Sequence, residues 1–253
     1  MDRTWLSLDP LDPEVISTVV GYLTSHRRAL PGNDYTRYLA ESVKNVSVLD
    51  IGVVEHTRDR MSSEDWKHKI IHESASRTVG VDVIPELVEE LNSKGYDVRL
   101  CDATSNADLG ERFDAIHIGD VIEHVNSPVD MMKFAKRHLA DGGTIIVRTP
   151  NPFCFDYVHS IGVNGTDVSN LEHMFYIAPI HMMEIARRSG LELTGYLTLY
   201  PGRLTYRGIK RMVGRVIRGF KLRHALAEII TTPESYSTIF VYELTHANNL
   251  AGR

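Results

Sequence analysis

The stretch Ser47–Thr57, SVLDIGVVEHT, decides how the rest of the chain is read. Val48, Leu49 and Ile51 form a short apolar run ending in Asp50 and Gly52, the pattern of a buried strand that enters a tight turn. A nucleotide-binding turn of the usual kind continues Gly-x-Gly, so that a cofactor can approach the backbone without meeting a Cβ atom. Here Val53, Val54, Glu55 and His56 follow instead. The run predicts the strand and the turn, and leaves open whether the turn still serves a ligand.

Outward from this stretch the same kind of run recurs. VSVLDI, RTVGVDVI, DVRLCD, FDAIHIGD, GTIIVRT, LELTGYLTLY and STIFVYEL are seven strand candidates of the fully buried type. Between most of them lie helical stretches: SSEDWKHKIIHESA, PELVEELNSKG, SPVDMMKFAKRHLADGG and APIHMMEIARRSG. In the third, Val129, Met132, Phe134, Ala135 and Leu139 share a face, and Gly142-Gly143 is expected to stop the helix. Upstream, residues 13–43 read as two helices, PEVISTVVGYLTSH and DYTRYLAESVKN, separated by LPGND, in which Asn33 or Asp34 can cap the second. Strand alternating with helix predicts an α/β fold with a Rossmann-like, seven-stranded, mostly parallel sheet covered by helices on both faces. Residues 1–44 are expected to form an N-terminal helical cap on a domain spanning 45–253.

At 253 residues, with 43% hydrophobic and 24% charged content, the chain suits one large soluble domain. The opening MDRTWLSLDPLDPEVISTVV carries acids and prolines where a signal peptide needs a basic start and an apolar core, so a cytoplasmic location is expected. Cys101 and Cys154 supply neither a disulfide framework nor a Cys-x-x-Cys zinc pattern. The net charge of −5 hides an asymmetry: eight Lys or Arg residues and no acid lie between Tyr200 and Ala227, which leaves 20 bases against 33 acids elsewhere. This basic helical insertion, 201–230, precedes the last strand. Its amphipathic part, 203–223, admits an anionic membrane surface as a partner, peripheral to the membrane, or an acidic substrate, or a solvated face.

In parallel sheets ligands sit beyond the carboxyl ends of the strands. There this chain places acids repeatedly: Asp50, Asp82, Asp102 and Asp120. From Asn45 to Gly190 the chain resembles the class I S-adenosylmethionine (SAM)-dependent methyltransferases. VLDIG is similar to their first motif, with Asp50, Gly52 and Val53 at the cofactor. VGVDVIPELVEEL resembles the second strand and helix, where Asp82, followed by Val83, would meet the ribose hydroxyls. CDATS resembles the loop after the third strand, so the resemblance assigns Asp102 and Ala103 to the adenine; Asp120 joins the same set. FDAIHIGDVIEHVNSP and LADGGTIIVRTPNPF resemble a subgroup of ubiquinone-biosynthesis O-methyltransferases and bacterial small-molecule and sugar methyltransferases. The departure is the missing Gly-x-Gly; openings of this divergent kind followed by Trp-x-His, here Trp66-Lys67-His68, resemble those of bacterial members. His56, Trp66 and His68 would close that side.

DVIEH sets Asp120, Glu123 and His124 at spacings of three and four, which brings side chains together on a turn or helix. His124 is the candidate general base for a hydroxyl acceptor, with Glu123 orienting it. The weaker alternative is a divalent metal on these three groups, as the similar Glu-x-x-Glu-His pattern implies. His173, in NLEHMFYIAP, is a second base candidate, whereas His181 is expected to cap or pack. Residues 151–175, with Phe153, Phe155, Tyr157 and His159, would form an acceptor lid or fill core. The resemblance implies a methyltransferase acting on an oxygen, less readily a nitrogen, of a small molecule or glycan. A nucleic-acid enzyme is disfavoured, because the strand-four loop lacks the Asn/Asp-Pro-Pro-Tyr pattern of amino-methylating DNA enzymes. A nicotinamide dehydrogenase would require Gly-x-Gly-x-x-Gly after the first strand. A non-catalytic scaffold fits poorly with the retained Asp82, Asp102 and DVIEH.

Overall fold

Neighbouring apolar residues along each strand face opposite sides of the sheet, and helices roof both sides, which is why the strand runs are continuously apolar. The structure, a computed structural model, describes residues 9–31, 34–54, 58–166, 170–200, 235 and 237–247. Its elements in chain order are α1 (Pro13–His26), β1 (Arg27–Pro31), α2 (Tyr35–Ser42), β2 (Ser47–Ile51), α3 (Arg58–Met61), α4 (Lys67–Ser74), β3 (Arg77–Asp82), α5 (Pro85–Ser93) and β4 (Val98–Leu100). They continue with β5 (Phe113–Gly119), α6 (Pro128–His138), β6 (Leu139–Pro150), α7 (Phe155–Asn164), α8 (Pro179–Ser189), β7 (Leu191–Tyr200) and β8 (Ile239–His246). One sheet runs in the order β1-β7-β8-β6-β5-β2-β3-β4. All pairings are parallel except those of β8 with β6 and β7.

Val48, Ala115, Ile146 and Val241 pack on one face with Tyr35 and Leu39 of α2 and Ile71 of α4. Leu49, Ile116, Ile145 and Phe240 pack on the other with Tyr22 of α1, Phe134 of α6 and Met182 of α8. Helix starts follow local capping chemistry. Asp12, Asp34 and Ser127 each accept a backbone N–H of the first turn, and Pro13, Pro128 and Pro179 occupy early positions where no donor is missed.

The α/β sheet is as expected, with an eighth strand added. Arg27–Pro31, expected as the end of a helix and a linker, pairs in parallel with β7 and covers the sheet's edge, so the N-terminal segment is not wholly helical. Nothing in its local pattern marks a strand, because RRALP has no alternation and the pairing partner lies about 170 residues away. The helix expected over 62–75 is confined to Lys67–Ser74, since Trp66 is extended. The helix expected to reach Gly142-Gly143 ends at His138, after which Leu139 pairs with Phe113. The basic insertion, its amphipathic part 203–223 and His56 lie outside the described residues. Among the described residues no helix is long and apolar enough to cross a membrane.

Phe134 is fully buried between α6 and the sheet. Truncation to alanine removes its packing and leaves a cavity, so Phe134→Ala should lower the unfolding free energy by about 3–5 kcal/mol, seen as a lower midpoint in urea denaturation at unchanged slope.

Candidate active site

The chain runs from β2 outward to β3 and β4, then returns to place β5 on the other side of β2. That reversal opens a crevice between the loops at the carboxyl ends of β2 and β5. A cavity of about 490 Å³ lies there, lined by Gly52 and Val54 after β2, Asp82 and Val83 after β3, Asp102 and Ala103 after β4, and Asp120 to Val125 (save Ile122) after β5. Its size suits a cofactor-sized ligand.

The turn after β2 is built around Gly52, whose φ is +80°. A Cβ atom there would lie 2.2 Å from Val121 Cγ2, so the glycine is required both by conformation and by close approach. Val53 and Val54 are buried with Met61 and Trp66, and the Trp66 indole N–H donates to the Val53 carbonyl at 2.8 Å. The Val54 N–H donates to Asp82 Oδ2 at 3.1 Å. The turn without its second glycine is therefore a packed, hydrogen-bonded unit, and Val54 rather than Val53 reaches the cavity.

Asp82 is nearly buried, and its Oδ1 accepts the N–H groups of Val83 and Ile84 at 2.7 and 3.2 Å. Three backbone donors thus hold one carboxylate at the cavity wall. Asp102 lies further out, with Oδ1 accepting both the amide and the hydroxyl of Thr104 at 2.7 Å. Asp120 adopts φ 53° and forms an ion pair with Arg148, whose guanidinium lies over the Tyr35 ring.

Asp50 departs from its expected role. It does not line the cavity. Its carboxylate is buried under the turn, with Oδ2 2.8 Å from His68 Nδ1 and Oδ1 2.6 Å from His117 Nδ1. Burial alone would raise its carboxyl, but the charge and hydrogen bonds of His117 and His68 outweigh that and hold it well below the usual carboxylate range. His68 likewise faces Asp50 and not the cavity. The polar His117 inside the apolar run FDAIHIGD was the one visible sign of this arrangement.

On the cavity wall the structure also gathers Glu123, His124 and His173, whose potential ligand atoms all lie within 4.8 Å of one another. The two imidazoles meet edge to face with centroids 4.8 Å apart. The Met174 N–H donates to the Glu123 carbonyl at 2.9 Å, tying the segment that carries His173 to the turn after β5. Asp120, paired with Arg148, is outside the cluster, and His173 takes the third place. Glu123 is fully buried; Oε2 accepts the Thr149 hydroxyl at 3.1 Å, and Oε1 has no hydrogen-bond partner among the described residues. Burial pushes its carboxyl up to about 7, against the pull of its own backbone amide and of Thr149.

His181 turns its Nδ1 to the Ala178 amide at 3.2 Å and so caps α8. Of the expected lid, Asn170 and His173 border the cavity, while Phe153, Phe155, Tyr157 and His159 do not. Those four aromatic rings are not core either, since none is buried. Sequence reasoning missed Arg60 and Cys101, which line the cavity. Neither lies in a pattern that would single it out.

The donor set fits a nucleoside cofactor: a fixed carboxylate at the end of β3 suits two vicinal hydroxyls, and Asp102 lies on the adjoining wall. A family of proteins described as a methyltransferase domain matches residues 23–195, and the chain belongs to that family. It is a class I SAM-dependent methyltransferase, with SAM as cofactor. Its fold is similar to that of a SAM-dependent methyltransferase from Mesorhizobium loti, at 15% identity over 83% of this chain and 94% of that one, with a TM-score of 0.50. It is similar also to one from Archaeoglobus fulgidus, at 15% identity, 82% and 89% coverage and a TM-score of 0.53. The CcbJ methyltransferase from Streptomyces caelestis gives 15% identity, 85% and 95% coverage and a TM-score of 0.53. No curated protein matches the chain.

Two measurements test this geometry. Asp82→Asn should weaken SAM binding by about 1.5–3 kcal/mol in calorimetry, the scale of hydrogen bonds to a charged group, with the fold retained. Glu123 titrates near 4.5 when unfolded and at about 7 when folded. Between these values the folded chain holds a proton that the unfolded chain has released, so the stability of the wild type relative to Glu123→Gln should fall as pH rises through that window and level off above it. The drift should reach about 3 kcal/mol at most, read by urea denaturation at either end of the window.

Proposed function

We propose that the chain methylates an oxygen of a small-molecule or glycan acceptor, with His124 as the proton acceptor. The observation that carries this reading is the cluster of Glu123, His124 and His173, which shares one cavity wall with the Asp82 and Asp102 carboxylates assigned to the nucleoside. When bound, SAM supplies an electrophilic methyl carbon on a sulfonium centre. The side chains of this chain have three tasks around it. Asp82 and Asp102 orient the nucleoside through its hydroxyl and amino groups. His124 takes the proton from the acceptor hydroxyl, which is a poor nucleophile while protonated. Glu123, buried beside it and titrating near neutrality, stabilises an imidazolium when ionised and donates a hydrogen bond when protonated. His173 packs edge-on against His124 and limits its orientation.

Residues 151–175 fit an acceptor lid in this reading. Asn170 and His173 line the cavity, exposed Phe153, Leu171, Met174 and Phe175 lie in the same segment, and the Met174 amide is tied to the turn at Glu123. Oxygen is favoured over nitrogen because a hydroxyl needs a proton acceptor as the methyl group transfers, and a positioned imidazole supplies one. The same three side chains are also a donor set of the type that takes a divalent cation, which is a second reading of the cluster.

Screening SAM consumption across hydroxylated metabolites and glycans identifies an acceptor. With it, His124→Ala should lower turnover by about a hundredfold or more and leave SAM affinity nearly unchanged. Full turnover in that variant would move the base to His173. Turnover that follows added metal, and is lost with a chelator, would assign the cluster to a cation.

A further inference from the structure

We propose that Arg60 is the anchor for the α-carboxylate of the cofactor's methionine tail, the task left open by the missing Gly-x-Gly. The proposal rests on SAM being the cofactor.

Arg60 is the one Lys or Arg among the described residues lining the cavity. The other charged groups on that wall are the acids Asp82, Asp102, Asp120 and Glu123. They suit a sulfonium and an ammonium, and none suits a carboxylate. A zwitterionic tail entering this cavity therefore meets a permanent positive charge for its anion at Arg60 alone among those described residues.

The turn itself has little to offer an anion. The Gly52 N–H donates to the Val81 carbonyl at 2.9 Å and the Val54 N–H to Asp82. With these backbone donors engaged inside the fold, a side-chain cation is the available substitute. Arg60 is well placed for it. It precedes Met61, which is buried with Val53, Val54 and Trp66, and its carbonyl accepts the Ser63 N–H at 3.0 Å. Trp66 closes the arrangement through its bond to the Val53 carbonyl. The buried neighbours fix the backbone beside the turn, Arg60 lines the cavity, and the planar fork of a guanidinium matches a carboxylate bidentately.

The test compares two probes by calorimetry: S-adenosylhomocysteine, which carries the whole amino-acid tail, and 5′-methylthioadenosine, the same nucleoside thioether without it. The wild type should bind the first more tightly. Arg60→Met should weaken S-adenosylhomocysteine by about ten- to a hundredfold and leave methylthioadenosine unchanged, while Arg60→Lys recovers part of the loss. Equal weakening of both probes would show that Arg60 merely supports the turn and would overturn the proposal, as would an Arg60→Met variant that keeps full affinity for the tailed probe. A folded wild type that binds neither probe would overturn the cofactor assignment itself, an outcome distinct from the other two.

Discussion

The buried carboxylate of Asp50 is the constraint on which the site depends. It sits near the end of β2 with His68 of α4 on one oxygen and His117 of β5 on the other, and His117 Nε2 in turn faces the Tyr35 hydroxyl of α2 at 2.9 Å. Four elements are thus tied to one charge. Such a group is costly to bury alone, and removing one partner of a buried charged pair typically costs about 3–5 kcal/mol. The sheet is shaped around it: a Cβ on Gly80 of β3 would meet His68 Cε1 at 2.9 Å, so β3 must approach as bare backbone. Because Gly52 follows β2 directly and Gly119 ends β5, the network lies beneath the two strand ends that open onto the cavity.

Above that base, the divergent turn is stabilised by packing where a glycine-rich turn would be open. Val53 and Val54 bury against Met61, Trp66, Val88 and Leu91, and α5 therefore shares a small apolar cluster with the turn. The consequence is chemical as well as mechanical. Side chains fill space that a Gly-x-Gly turn leaves to its ligand, and the hydrogen bonds of the turn point inward to Val81, Asp82 and Trp66. A cofactor in this crevice must be recognised more by side chains and less by backbone.

The cavity wall carries two kinds of group. Asp82 and Asp102 have their oxygens held by backbone and Thr104 donors, and Glu123 stands with two imidazoles. Asp120 lines the cavity too, with its charge offset by Arg148. These acids give the cavity wall a negative character that suits a bound cation.

Local periodicity and local capping encode a large part of this fold in the residues themselves. The apolar runs located the seven expected strands, Pro128 and Ser127 located the start of α6, and the order of strands and helices implied a parallel sheet with ligands at its carboxyl edge. DVIEH marked Glu123 and His124, and EHMF marked His173, by residue type alone. That these three meet follows from long-range folding, because His173 lies in a segment some fifty residues away that the bond from Met174 to Glu123 ties to the turn. From the same source it follows that Asp50 serves two histidines instead of the cavity, that Val54 displaces Val53 at the wall, and that RRALP is an edge strand. Each of these outcomes depends on a long-range partner: His117 for Asp50, Trp66 for the turn, β7 for β1. A burial partner from a distant part of the chain leaves no periodic trace in the sequence around the residue it selects.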